Sequence, residues 1–501
     1  MAGGFPGPAP RSSAVVRGPD DLTLGTVERI AWGGDRVTLH ATALSRVARG
    51  REALRALVSD GARVYGLNTG TGFHCSTDLE VTDEAGHAER QRALLLGRAV
   101  GGPPYLPAGE ARAVLAVRLV NLLSGAAGVT PRLCTFIADR LNDGFTPAIP
   151  RTSIGCAGEV IPLAHAFQTL VGVGTLVDGT PAAQGLATRG VRPYEPASKE
   201  GIALLAGAPG TVALGIGRLR EARMLTQQML ASAACAIDAL RAPLDSYDPQ
   251  VARLAPDPLL AAVLARLGVW LEGSSPDRKR CQAPVSFRVV PQVHTHLERA
   301  VARLDEDVRR ALASVTDSPA VTDGGVLSTG AFHAVEVAAS MDGLTAAYVR
   351  AAELAAARLH RLLDHRFSGL ADQLTPVAGP RCGLVVVHKR AVGAVHELRR
   401  LATPTSVGLV DTSLGQEDAL AFGYAAAENL RHAGRLAREV LACELLACRQ
   451  AWWLRAAGTA TGLQPIAHDL SELVPPVDED RPLGPDITRL ITWLERGGTA
   501  A

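Results

Sequence analysis

The stretch best suited to chemistry is Thr152-Ser153-Ile154-Gly155-Cys156-Ala157-Gly158-Glu159-Val160-Ile161-Pro162-Leu163-Ala164-His165. Gly155 and Gly158 free the backbone to bend. Glu159 is acidic and Pro162 is tolerated in a first turn, so a helix is expected from near 159. Val160, Ile161, Leu163, Ala164, Phe167, Leu170 and Val171 make that helix apolar nearly all round, which predicts burial. A tight turn at the positive end of a buried helix suits catalysis, and Cys156 stands there, where a thiolate is favoured. Two readings stay open for Cys156, a nucleophile and a small buried thiol. Metal chemistry is not expected. His294-Thr295-His296 and the pair His360 and His365 lack a third convergent ligand and the His-Glu-x-x-His spacing. Gly70-Thr71-Gly72 is a bare Gly-x-Gly without the strand–turn–helix context of a phosphate loop.

The elements that must carry these residues are mostly helical. Arg36–His40 alternates like a strand and Ala41–Ser59 has helical spacing. Ala111–Gly128 reads as a helix, and Leu141-Asn142-Asp143-Gly144 as the stop of the next one. Long Ala/Leu/Arg-rich tracts follow over Thr211–Arg241, His294–Ala313, His333–Leu363 and Glu417–Leu454, with apolar residues three and four apart. Asp486–Arg496 reads as a last amphipathic helix. Long alanine-rich helices pack closely as a bundle and leave apolar surface for oligomerisation.

The chain has 501 residues, 47% apolar and 20% charged, with a formal net charge of +1. This is the balance of a soluble globular protein, and no global field favours nucleic acid or an anionic membrane. Basic residues are almost all Arg, with Lys only at 199, 279 and 389. With the abundant Ala and Gly, this suggests a GC-rich bacterial genome. Eight widely spaced cysteines do not form a disulfide framework, and seven of them read as buried free thiols in a reducing cytoplasm. No uninterrupted apolar run is long enough for a membrane span. The Gly/Pro-rich residues 1–20 lack signal-peptide order and are expected to be a disordered tail.

The central stretch resembles a segment of the histidine and aromatic amino-acid ammonia-lyases, G-S-x-G-A-S-G-D-L-x-P-L-A-H. In that family the Ala-Ser-Gly tripeptide cyclises and dehydrates to methylidene-imidazolone (MIO), the electrophile that starts the reaction. Here the tripeptide reads Cys156-Ala157-Gly158, and Ala157 has no hydroxyl to lose. Tyr65-Gly66-Leu67-Asn68-Thr69-Gly70-Thr71-Gly72 is similar to the family's Y-G-x-N-T-G-F-G, which makes Tyr65 the counterpart of a catalytic base on a mobile loop. A tyrosine packed before a turn is the alternative, and the other motif matches favour the catalytic reading. Arg98 stands where a histidine often meets the substrate side chain, either binding an anionic substrate or closing a helix end. Lys199–Gly207 resembles K-E-G-L-A-L-x-N-G, with Ala206 for asparagine. Gln282 and Arg288 are kept from Q-D-x-Y-S-x-R-C-x-P-Q-V, in which the arginine holds the substrate carboxylate; the tyrosine is Val285. Thr316–Pro319 and Ser328–His333 resemble T-D-N-P and S-G-G-N-F-H, keeping Phe332 but with Ala331 for asparagine. Gln416-Glu417-Asp418 matches Q-E-D, followed by Ala419 instead of histidine.

The resemblance implies a mainly α, ammonia-lyase-like fold with a smaller N-terminal mixed region and a central bundle of long helices. The expected organisation is a tail over 1–20, an N-terminal domain over 21–205 with the Tyr65 loop and the MIO-like turn, a bundle over 206–460 and a C-terminal segment over 461–501. It also implies a homotetramer, and the free cysteines place the protein in the cytoplasm. The expected catalytic residues are Tyr65, Glu417 and Cys156. Substrate binding is expected from Arg288, Gln282, Arg98, Phe332, Gln416 and Asn68, on a small carboxylate-bearing molecule, with no cofactor, nucleic acid or membrane. A free phenol titrates near pH 10, so Tyr65 needs a neighbour such as Arg98 or Arg288 to act as a base. Two functions follow. One is an enzyme of bacterial specialised metabolism doing acid/base lyase, isomerase or cyclase chemistry without MIO. The other is an inactive homologue serving as a binding or regulatory subunit. A conventional ammonia-lyase would need another route to its electrophile.

Overall fold

Helix formers dominate the sequence, and helices dominate the structure. The computed structural model describes residues 12–80, 83–275, 281–377, 379–456 and 458–499. They fall into two units. The first contains the chain up to Gly217 with Asp305–Met341 and Thr405–Glu428; the second contains Arg218–Leu304, Asp342–Pro404 and the chain from Asn429.

In the first unit, Ser13–Val16 pairs in parallel with Arg36–Leu39, in the register Ser13 to Arg36 through Val16 to Leu39. The tail expected over 1–20 therefore gives way to a strand at Ser13, because this edge finds a partner; residues 1–11 lie outside the described residues. Asn142, the last residue of the helix Pro131–Asn142, accepts from Val37 N at 2.7 Å and donates to Val37 O at 2.8 Å, tying helix to strand. The helix Ala108–Leu123 is buried on nearly every face, as its run of Ala, Val and Leu requires. Of its two buried charged residues, Glu110 and Arg118, the deeper, Arg118, meets Asp317 at 2.5 Å with neither side chain exposed, and also donates to Ala206 O at 2.8 Å. Lys199, equally buried, donates to Ala127 O at 2.9 Å and Pro319 O at 3.2 Å. Burial lowers its pKa to about 8. These bonds bring three distant segments, near 127, 199–206 and 317–319, to one place.

The second unit holds much of the long helices. The four tracts expected from spacing appear as Pro209–Leu240, Val290–Ala313, Val335–Leu362 and Gly423–Arg455. The last starts six residues later than its pattern, because Glu417 pairs as a bridge with Thr412 and Phe422 takes a left-handed φ of +50°. Alanines 231, 233, 234 and 236 are fully buried and let backbones approach closely. Glu444 is held by Arg358 at 2.8 Å and by the Ser232 hydroxyl at 2.7 Å. Such a pair offsets its own desolvation only while complete. By length and composition, Glu200–Leu240 is apolar enough to cross a membrane, but 94% of its most apolar window is buried inside the protein, as in a core helix. The eight cysteines are free. Five are buried, including Cys156, but Cys75 is half-buried and Cys281 and Cys382 are exposed, so only four of the seven expected to be buried are.

Candidate active site

Tyr65 sits on a loop whose shape is fixed by its own short side chains. Gly66 has a φ of +71°, and a Cβ there would lie 2.7 Å from Ile202 Cγ1, so only glycine fits. Asn68 accepts from Val64 N at 2.7 Å and donates to Ala62 O at 2.9 Å, closing the turn. Gln91 donates to Gly66 O and accepts from Ile202 N, both at 3.0 Å, and so links the loop to the helix Glu200–Leu205. The Tyr65 hydroxyl accepts from Gly72 N at 2.8 Å. Burial raises the Tyr65 pKa; the Gly72 amide and the Arg98 charge pull it down, and Glu417 pushes it up. The group is therefore a neutral phenol near neutrality. Arg98 donates to the Thr71 hydroxyl at 2.6 Å and to Leu94 O at 3.2 Å.

The central turn departs from its expected mechanics. Neither Gly155 nor Gly158 is left-handed; Ser153 is, with a φ of +61°. The helix begins at Val160, as expected. Its preceding residue, Glu159, does not cap it. The Glu159 carboxylate instead accepts from Gly210 N at 2.6 Å and Thr211 N at 2.5 Å, the first turn of Pro209–Leu240. Burial still pushes this carboxyl up to about 7. Cys156 donates its thiol hydrogen to Gly158 O at 3.1 Å. The helix-end amides of Val160 and Ile161 do lower its pKa, but burial is the larger effect and raises it to about 11. The thiol is thus protonated at neutral pH, as in the buried-thiol reading.

Between loop and turn lies a cavity of about 360 Å³, enough for an amino-acid-sized molecule. Tyr65, Ala157, Gly158, Phe332, Gln416 and Glu417 line it. Glu417 Oε2 accepts from Ala157 N at 3.1 Å and from the Thr412 hydroxyl at 3.4 Å. Ser318, Ser328 and Thr329 add hydroxyls to the wall, which the Arg118–Asp317 pair supports through Thr329 Oγ1, 3.1 Å from Asp317 O. These three lie inside motifs quoted from the sequence but were not singled out. Cys75 also lines the cavity, and no sequence signal points to it. Cys156 faces a separate, smaller cavity behind the turn with Glu159, His333 and Tyr424.

The structure thus gathers Tyr65, Phe332, Gln416 and Glu417, but not every expected residue. Asn68 lines a different cavity. Arg98 touches the loop and is absent from the cavity lining. Gln282 and Arg288 belong to the second unit.

The family profile described as aromatic amino acid lyase matches residues 22–472. The chain belongs to the aromatic amino acid lyase family. It is 33% identical to the histidine ammonia-lyase of Symbiobacterium thermophilum, covering 96% of each chain, and 33% identical to that of Streptomyces coelicolor, covering 97% of this chain and 98% of the other. Among solved structures, the tyrosine aminomutase of Streptomyces globisporus superposes with a TM-score of 0.91 at 27% identity over 98% of each chain. The ergothionase of Treponema denticola superposes at 0.92 with 22% identity, a likeness of fold alone. The mainly α, ammonia-lyase-like fold expected from the motifs is the one found. As a lyase-type enzyme of this family, the protein has a chemical gap at one place. MIO needs a hydroxyl at the middle residue of its tripeptide, and position 157 is an alanine whose N–H is engaged by Glu417. These residues do not fit the group.

Proposed function

We propose that this lyase-family enzyme works without MIO, moving a proton on a small carboxylate-bearing metabolite in a lyase, isomerase or cyclase reaction of bacterial specialised metabolism. The observation that carries the reading is the pairing of a cavity that retains Tyr65 and Glu417 with a turn that lacks a leaving hydroxyl at Ala157. Positioning a reactant beside a base lowers a barrier without a covalent electrophile. Tyr65 transfers the proton, Glu417 relays it, and Gln416 and Phe332 orient the substrate. Arg98 acts through the loop, by its bond to Thr71. In the homotetramer implied by the resemblance, sites are built from several subunits, and we assign Arg288 and Gln282 to the cavity of a neighbouring copy.

A conventional amino-acid ammonia-lyase is favoured by the names of the relatives, histidine ammonia-lyases at about a third identity. That reading requires an electrophile that Cys156-Ala157-Gly158 does not supply by dehydration. The two are separated by assaying ammonia release from histidine, tyrosine and phenylalanine beside ligand-dependent melting with a carboxylate panel. Our reading expects no ammonia, carboxylate stabilisation in the wild type, and its loss in Arg288→Ala. Ammonia release with ordinary turnover overturns it. Absence of any stabilising carboxylate favours the inactive, regulatory homologue.

A further inference from the structure

The small cavity behind the turn is polar and ringed by helix starts. It holds about 20 Å³, and one water molecule needs roughly 10–15 Å³. Thr211 and Tyr424 line it from the first turns of Pro209–Leu240 and Gly423–Arg455. His333 stands two residues before Val335–Leu362, and Glu159 directly before Val160–Gln168. Four helix N-termini therefore meet around one small space, each with backbone N–H groups that have no intrahelical acceptor. Tyr424 is 4% exposed, and its hydroxyl has no hydrogen-bond partner among the described residues. Neither has the buried Nε2 of the half-buried His333. A Cβ on Gly210 would lie 2.1 Å from the Tyr424 hydroxyl and 2.6 Å from Glu159 Oε2. Phenol and carboxyl thus crowd one point without bonding to each other. Burial raises the Tyr424 pKa well above that of an ordinary phenol, so the hydroxyl keeps a proton to donate. The Cys156 thiol is already committed to Gly158 O.

We propose that this cavity binds one ordered water, held by the Tyr424 hydroxyl, His333 Nε2 and the Glu159 carboxyl, and that the water ties the 156–158 turn to the start of Gly423–Arg455. Size and charge select the ligand. The space excludes an organic molecule. The positive helix ends oppose a cation, and a Glu159 carboxylate opposes a second anion. A water both donates and accepts, and a buried one makes about three such bonds. It accepts from Tyr424 and donates to Glu159, whose oxygens each keep a lone pair after accepting from the Gly210 and Thr211 amides. A phenol so deeply buried is costly to leave unpaired, and the bridge removes that cost. Ala157 and Gly158 wall both this cavity and the reaction cavity, so the bridge steadies the shared wall from behind. The inference is independent of the reaction proposed above.

The test is a crystal structure of the full chain at a resolution that shows ordered waters. Parallel crystals are soaked in rubidium chloride and in sodium bromide, whose anomalous scattering marks a cation or a halide. The expected result is a light-atom peak within hydrogen-bonding distance of Tyr424 Oη and His333 Nε2, with no anomalous signal there from either soak. Tyr424→Phe keeps the ring and should remove the peak. The same variant should speed deuterium exchange over residues 154–161 by about fivefold, the scale of one net hydrogen bond. His333→Leu is expected to weaken the peak as well. A dry cavity, a direct bond between Tyr424 and Glu159, or an anomalous peak in the cavity overturns the proposal. So does a water kept at full occupancy in both variants, or unchanged exchange in Tyr424→Phe.

Discussion

Two acidic groups at the site have pKa values that burial moves upward, with different consequences. Tyr65 is a phenol at neutral pH, so if it serves as the base, kcat/KM rises with pH toward its ionisation. Tyr65→Phe should abolish that alkaline limb and lower kcat/KM by about 10²-fold or more; a pH–rate profile of both proteins checks it. Glu159 bears on stability instead. Its folded pKa of about 7 lies above the ordinary 4.5, so the native state holds a proton that the unfolded chain releases. Stability from this group is full below pH 4.5 and declines as pH rises to about 7. Glu159→Gln should flatten that part of the curve in urea unfolding across this range. Sequence makes the presence of these groups plain but not their ionisation. The position of Cys156 at a helix end suggests a thiolate, whereas enclosure, which is a tertiary property, reverses the balance.

At the scale of elements, the loop and the turn hold the chemistry in place. Thr71→Val removes the hydroxyl that receives Arg98, and should cost about 1 kcal/mol or less in global stability while speeding deuterium exchange of residues 65–79. Unchanged exchange would remove Arg98 from the positioning of Tyr65. The wall opposite depends on a buried ion pair. Arg118→Met strips the buried Asp317 of its hydrogen-bonded partner, leaving only the charge of Lys199 nearby, and is expected to cost about 3 kcal/mol in a denaturant titration. Helix positions were legible from periodicity because long apolar spacing is a local signal. The start of Gly423–Arg455 was not, since Glu417 and Phe422 are held by a bridge and a left-handed turn. The roles of Asn68 and Glu159 were equally hidden. Their partners are Ala62 and Val64 for one, and Gly210 and Thr211 for the other, and a side chain's choice among backbone groups leaves no composition signature.

For the whole molecule, ordered motifs from Tyr65 to Glu417 made the family and its cavity readable, because residues far apart must converge for such spacing to matter. The second unit's Arg288 illustrates the limit: a matching motif identifies a residue type without stating which cavity it serves. The central claim is that the turn at 156–158 stays an ordinary peptide in an enzyme that retains a base. Intact mass of the purified protein, with peptide mapping across 152–165, tests this most directly. The account predicts the unmodified sequence mass and an uncyclised Cys156-Ala157-Gly158 peptide. A mass lower by two waters, localised to those three residues, contradicts it.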